Sequence, residues 1–304
     1  FNMLFGLLKL GTVIRYISNS VLVGFLSAIG VLVISYQLGN LLGIELGRGG
    51  GLWDVLTSLV NRYDTINPFT LLVSLFSFGV MLLIRRVNRK LPAALFTILL
   101  ASLLVFLTGW ENTQGIRLVR DFNLPEEIGL RFHLPNLTLE QFGSLILSGA
   151  AVALFGLMET LSIAKAMSQM TGDSLNPSKQ IFAQGLASFV GGFFQCMPSS
   201  GSPSRTVINV VNGAKTNGAA IFSGVGVWIF LLLFSGLISY IPIAALAAVV
   251  IVSASGLINI QIIKQTWQSR IQSRVVMAIT FFSTLIFPLE YAIYLGILST
   301  ILLY

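Results

Sequence analysis

The residues best suited to chemistry lie in the run PSSGSPSR, Pro198 to Arg205, which leads into the short segment Thr206 to Ala214. Ser202 suits the N-cap of a helix, and Pro203 suits its first position. The backbone N–H groups of Ser204, Arg205 and Thr206 would then lack partners within the helix. Such amides, together with the partial positive charge of a helix start, attract anions. Arg205 falls in the same first turn, where a cation opposes the dipole unless an anion visits. Two other readings stay open for Arg205: permanent pairing with a carboxylate, or extension to a lipid headgroup.

Glu159 is the obvious carboxylate, placed well inside the apolar stretch Phe142 to Ala164. Phe155 lies one turn earlier, and Ser162 and Ile163 follow by three and four residues. Glu159, Ser162 and Thr160 can therefore approach one polar side. An ionisable residue at that depth suits proton or cation coupling, the alternative being a neutral hydrogen-bonded Glu or a lasting partner for Arg205. Gln37 and Phe155 could line a pathway, although packing is the preferred reading for Gln37. Glu290, beside Pro288, satisfies broken-helix backbone or sits near the outer surface. Asn209 and Asn212 are expected to hydrogen-bond within the bundle, and Trp53 and Trp110 to act as interface anchors.

The setting for these residues follows from composition. Of 304 residues 55% are hydrophobic and only 10% charged, where soluble proteins carry about 25% charged residues. The chain is therefore an integral membrane protein. One cysteine (Cys196) and one histidine (His133) exclude an internal disulfide, a multi-cysteine or histidine-based metal centre and a Ser-His-Asp triad. No cofactor or metal is expected, and no nucleophile or acid–base pair converges as an enzyme would need. The net charge of +7 forms no basic stripe for nucleic acid.

Apolar stretches of about 20 residues mark membrane crossings. They are read at Val21–Leu42, Pro68–Ile84, Pro92–Gly109, Phe142–Ala164 and Ala219–Leu237, with shorter ones at Pro242–Ile258 and Phe182–Met197. Val275–Tyr304, interrupted by Pro288, is expected to form two helices, and Phe1–Leu10 to end an earlier span. Alternate crossings put 12 basic residues and one acidic residue, Asp173, on one side; the other side holds five basic and eight acidic residues. That asymmetry makes loops 85–90, 165–179 and 264–274 cytoplasmic, with Lys165 and Lys179 making cytoplasmic contacts. It also requires residues 198–214 to carry the chain back through the membrane. A helix starting at Pro203 would have about eleven residues, or about 16 Å, too short to cross alone. It must begin near the midplane, where exposed backbone is tolerated only inside protein or beside a watery cavity.

From Gly11 through Gly24-Phe25 to Gln37-Leu38 the chain resembles the SulP/SLC26 family of anion transporters. The match continues at ETLSIAK (159–165), Gln184-Gly185, Gly191-Gly192, SGSPSRT (200–206), GAKT (213–216) and YIPIAALA (240–247). The resemblance implies an all-α polytopic membrane protein with the UraA/SLC26-like fold of seven plus seven inverted repeats. It is present here in part, from the end of segment four to segment fourteen, with the short half-helix at 203–213. Residues 1–109 would hold the end of core segment four and gate segments five to seven, and 110–141 an extracytoplasmic loop. Core segments eight to eleven would lie at 142–237, and gate segments twelve to fourteen at 238–304. The start at Phe1 and the end at Tyr304 read as those of a piece of a longer protein, without the family's third segment and STAS domain.

The resemblance also implies function. Anion binding carries over to Ser202, Pro203, Ser204 and Arg205, and the buried acidic position to Glu159. The expectation is secondary active uptake of an inorganic anion, sulfate by default, coupled to protons and driven by elevator motion of core against gate. Bicarbonate or a dicarboxylate with sodium or proton coupling is the alternative cargo, and an anion channel the alternative mechanism. Sodium-coupled bicarbonate members place a Thr where this chain has Ile163 and a hydroxyl residue where it has Pro203. Hard cations need several oxygens, so a proton is favoured over sodium. A homodimer surrounded by lipid in the inner (plasma) membrane is expected.

Overall fold

The computed structural model describes residues 1–8, 18–44, 52–88, 91–122, 132–136 and 138–303, without the side chains of Ala166, Gln169, Pro203, Ser204, Ser235 and Glu290. Of the basic residues that set the expected topology, Lys9, Arg15, Arg48, Arg89, Lys90 and Arg131 lie outside the described residues. So does the Gly11 motif, and so does the side chain of Glu290.

Among the described residues the named elements are helices, joined by short irregular segments. The helices are α1 (Asn2–Leu7), α2 (Asn19–Leu42), α3 (Leu52–Asn61), α4 (Pro68–Val87), α5 (Ala93–Thr108), α6 (Trp110–Thr113) and α7 (Leu139–Thr171). They continue as α8 (Pro177–Gly192), α9 (Pro203–Val211), α10 (Gly218–Ile238), α11 (Ile243–Ala254), α12 (Ile260–Gln268), α13 (Ile271–Ile286) and α14 (Leu289–Leu303). Four stretches are long and apolar enough to cross a membrane: Asn19–Leu42, Pro68–Val87, Leu139–Lys165 and Ile243–Gln268, the last owing its apolar character to α11 and not to the amphipathic α12. Shorter apolar helices occupy Ala93–Thr108, Gly218–Phe234, Ile271–Ile286 and Tyr291–Leu303. Large apolar side chains such as Phe222, Val227 and Leu233 point outward along α10. That much exposed apolar surface suits lipid or a packing partner.

The helix ends follow from local sequence. Thr138 and Gln141 form a capping box that opens α7, and Gly172, at φ 78°, closes it in the left-handed conformation. The resulting 33-residue helix is about 50 Å long, well beyond the apolar run within it. Asn67 caps α4 and Asn176 caps α8, each followed by a proline in the first turn.

The chain divides into two compact units. The first comprises Phe1–Phe25, Gly129–Trp228 and Lys264–Tyr304. Here α1 lies so close to α8 that a Cβ on Gly6 would sit 2.7 Å from Cα of Phe182, and one on Gly185 would fall on the backbone of Asn2 and Met3. Tyr294 of α14 donates its hydroxyl to the carbonyl of Leu147 in α7 at 2.9 Å.

The second unit comprises Leu26–Ile128 and Ile229–Ile263. Its core gathers Val73, Ala101, Val105, Ile116, Leu118, Ala244 and Ala245. The Ser74 hydroxyl donates to the Leu41 carbonyl at 2.9 Å, which ties α4 to α2. An antiparallel bridge joins Leu118 to Pro242 and is extended by Val119 N–H to the Ile241 carbonyl at 2.9 Å. Trp110 packs its ring edge against Phe69 at 5.3 Å, whereas Trp53 is exposed. Of the two expected anchors, only Trp53 has its ring in the open.

Candidate functional site

The site lies in the first unit, where the polar segment 198–202 feeds α9. Two helices hold that segment. From α7, Oε2 of Glu159 accepts the hydroxyl of Ser200, and Oγ1 of Thr160 accepts the N–H of Gly201 at 3.3 Å. From α8, Nε2 of Gln184 donates to the Ser199 carbonyl. Three consecutive residues before the helix start are thereby fixed by three side chains on two helices.

Packing completes the seat. A Cβ on Gly201 would stand 3.2 Å from Cδ1 of Ile163, and one on Gly156 would stand 3.9 Å from Cβ of Ser200. Gly156, Thr160 and Ile163 lie on one face of α7, three or four residues apart, which lets the polar segment run along it. Leu157 and Met158, pointing elsewhere, are buried. Thr160 is only 5% exposed, so its hydroxyl serves the Gly201 amide in a largely dry setting.

The helix starts where expected but is shorter, nine residues ending at Val211 in place of 203–213, because Asn212 and Gly213 (φ 88°) leave the helix. Ser202 occupies the N-cap of α9 in an extended conformation (φ −113°, ψ 118°), Pro203 follows in the first turn, and the Ser202 carbonyl accepts the N–H of Thr206 at 3.0 Å. The Ser202 hydroxyl makes no cap hydrogen bond to the helix. The side chains of Pro203 and Ser204 lie outside the described residues.

Arg205 is exposed, and among the described residues it forms no ion pair, with Glu159 or any other carboxylate. Glu159 is half-buried and spends its bond on Ser200 instead. The long stretch from Ser174 to Leu289 contains no Asp or Glu at all. The dipole of α9 and the charge of Arg205 therefore meet no acidic side chain from their own part of the chain.

The remaining candidates separate. Phe155, one turn before Glu159, is half-buried with its ring 4.7 Å from that of Phe25. Gln37 belongs to the second unit, where its Oε1 accepts Nδ2 of Asn40 at 2.9 Å on the same helix. Ser162 turns back to donate to the Met158 carbonyl at 2.7 Å, so Thr160, not Ser162, joins Glu159 at the polar segment. Asn212 likewise bonds within α9, to the Ile208 carbonyl at 2.8 Å. Among the described residues no group of three His, Cys, Asp or Glu side chains could hold a metal ion.

Ser200 and Gln184 stand in motifs that carry the family resemblance, but sequence alone assigns neither a role at the site. Their signal was faint: a hydroxyl in a serine-rich run and an amide in an apolar helix.

Residues 1–280 match the family described as the sulfate permease family. Sulfate transporter 4.1, chloroplastic, of Arabidopsis thaliana is 27% identical over 302 residues, covering 96% of this chain and 43% of its own length. The chain spans about half the length of the curated relatives it matches. Among solved structures, the murine Solute Carrier 26 family member A9 anion transporter in the inward-facing state superposes with a TM-score of 0.88 at 19% identity, covering 99% of this chain and 50% of that one. The transmembrane domain of a cyanobacterium bicarbonate transporter, BicA, gives 0.81 at 21% identity, covering 99% and 73%. These likenesses establish the fold as the all-α, UraA/SLC26-like membrane fold, present in part.

Proposed function

This chain belongs to the sulfate permease family, and on that premise we propose that it works as the membrane part of a secondary active anion transporter carrying sulfate. The observation that carries this reading is the seat of α9. A helix start with Ser202 at its N-cap position is held by Glu159, Thr160 and Gln184 through three successive residues, with Arg205 exposed in the first turn. In the proposed site the anion sits at this start near the bilayer midplane, held by backbone N–H groups, by Ser202 and Ser204, and by the field of Arg205. Residues 142–237 act as core and move against a gate formed by residues 1–109 and 238–304, apart from the end of core segment four, as transporters with broken-helix repeats do.

Glu159 is the proposed coupling residue. Its carboxylate is tied to the segment that bears the anion, so protonation there weakens negative charge beside the cargo and changes the bond to Ser200 at the same time. A proton is favoured over sodium because Ile163, which packs against Gly201, offers no oxygen to a hard cation. Phe155 closes one side of the proposed pathway, and Gln37 serves packing. The chain operates in the plasma membrane as a homodimer, with loops 85–90, 165–179 and 264–274 cytoplasmic.

Proteoliposomes carrying the full chain test the reading. Labelled sulfate should accumulate above its external concentration when an inward proton gradient is imposed. Bicarbonate or fumarate accumulating in its place would change the cargo. Equilibration without accumulation would identify a channel and refute the carrier.

A further inference from the structure

The short helix α12 has no place in the transport site, and its surface calls for a partner. Asn259 starts it afresh after α11: its Oδ1 accepts the N–H groups of Gln261 and Ile262, both at 3.1 Å. The nine-residue helix that results rises about 14 Å, too little to cross a bilayer. None of its residues is buried. Ile260 (75% exposed) and Trp267 (54% exposed) share one side with Ile263, at spacings of three, four and seven. Gln261, Gln265 and Gln268 take the opposite side together with Ile262 (39% exposed), and Lys264 stands at the border. Arg270 follows, exposed, and Arg274 donates through Nε to the Ser269 carbonyl at 3.2 Å.

We propose that α12 and the turn to Arg274 lie in the membrane interface and bind anionic phospholipid headgroups. The apolar helices α11 and α13 flank this segment and deliver it to a bilayer surface. An exposed tryptophan belongs at headgroup level, and a short amphipathic helix with basic residues along its border lies in that plane. Zwitterionic lipid would satisfy Ile260 and Trp267 equally well. The choice of an anionic lipid rests on charge: Lys264, Arg270 and Arg274 have no Asp or Glu near them in sequence, the nearest being Glu290. Each basic side chain near an anionic surface strengthens attachment to it about five-fold.

The test uses the full chain carrying Cys196→Ser and Ile260→Cys, with a fluorophore on the new thiol. It is reconstituted in vesicles of phosphatidylcholine containing some phosphatidylglycerol. One of the two lipids carries a nitroxide quencher close to its headgroup. The label should be quenched by either lipid, and several-fold more per lipid molecule by phosphatidylglycerol. Lys264→Gln with Arg270→Gln should remove that preference and leave the quenching itself. Both side chains are exposed, so an unchanged elution profile is expected and checks folding. The absence of quenching by either lipid would mean that water or protein covers α12, and would overturn the proposal. Equal quenching by the two lipids, or a preference that survives both substitutions, would overturn its anionic part.

Discussion

Ser200 donates its hydroxyl to Oε2 of Glu159, a partner 41 residues earlier in the chain. This one bond joins the sole acidic residue in the middle of α7 to the segment that opens α9. Any change in the charge of Glu159 is therefore felt two residues before the Ser202 cap.

Glu159→Gln separates charge from shape. The amide oxygen can still accept from Ser200, so the fold should persist, but no proton can be exchanged. Sulfate uptake by this variant should lose its response to an inward proton gradient. Proton-stimulated uptake equal to that of the unsubstituted protein would remove Glu159 from the coupling step.

Arg205→Gln should affect function and not stability. The side chain is exposed and makes no ion pair among the described residues, and surface changes of this kind stay within about 0.5 kcal/mol. Loss of a charged contact to a bound anion lowers uptake about ten-fold or more. Thermal unfolding in detergent and initial rates in proteoliposomes measure the two halves. A strongly destabilised variant would return Arg205 to a structural role.

Thr160→Val preserves shape and deletes the acceptor of the Gly201 N–H. Leaving that amide unmatched costs about 1–3 kcal/mol if water cannot replace the hydroxyl. The expected result is a lowered unfolding temperature with weakened sulfate uptake, since the seat of α9 loosens. An unchanged unfolding temperature and rate would show that Gln184 and Glu159 hold the segment without it.

Gly185→Leu addresses the contact of α1 with α8. A side chain there collides with backbone of Asn2 and Met3, and overpacking of this kind costs about 1–3 kcal/mol or more. Unfolding should shift downward markedly. A neutral outcome would mean that α1 is not held against α8 in the membrane.

Much of the architecture was written in apolar runs and breakers. Pro68 after Asn67, Gly109 at the end of α5, and Pro288 between α13 and α14 mark helix ends close to where they fall. The start of α9 at Pro203 was legible for the same reason, because a serine–proline pair is a strong opening signal. Other limits were hidden. The helix α7 continues past Ala164 to Thr171 because nothing between them breaks a helix before Gly172, although hydropathy fades. Asn176 and Pro177 begin α8 five residues ahead of its apolar run. Neither α3 nor α12 announces itself in a search for spans, since both are short and amphipathic. The pairing of Glu159 with Ser200 and of Gln184 with Ser199 depends on how α7 and α8 are placed, which local periodicity does not encode. Sequence pointed to the helix start and to the carboxylate, and the bond between their surroundings needed coordinates.

Occupation of the start of α9 by an anion can be probed by cysteine accessibility. In a Cys196→Ser background, Ser202→Cys should react with a membrane-impermeant thiol reagent in proteoliposomes, and sulfate should slow that reaction in a concentration-dependent way. A reaction rate indifferent to sulfate, and equally to bicarbonate and fumarate, would contradict it.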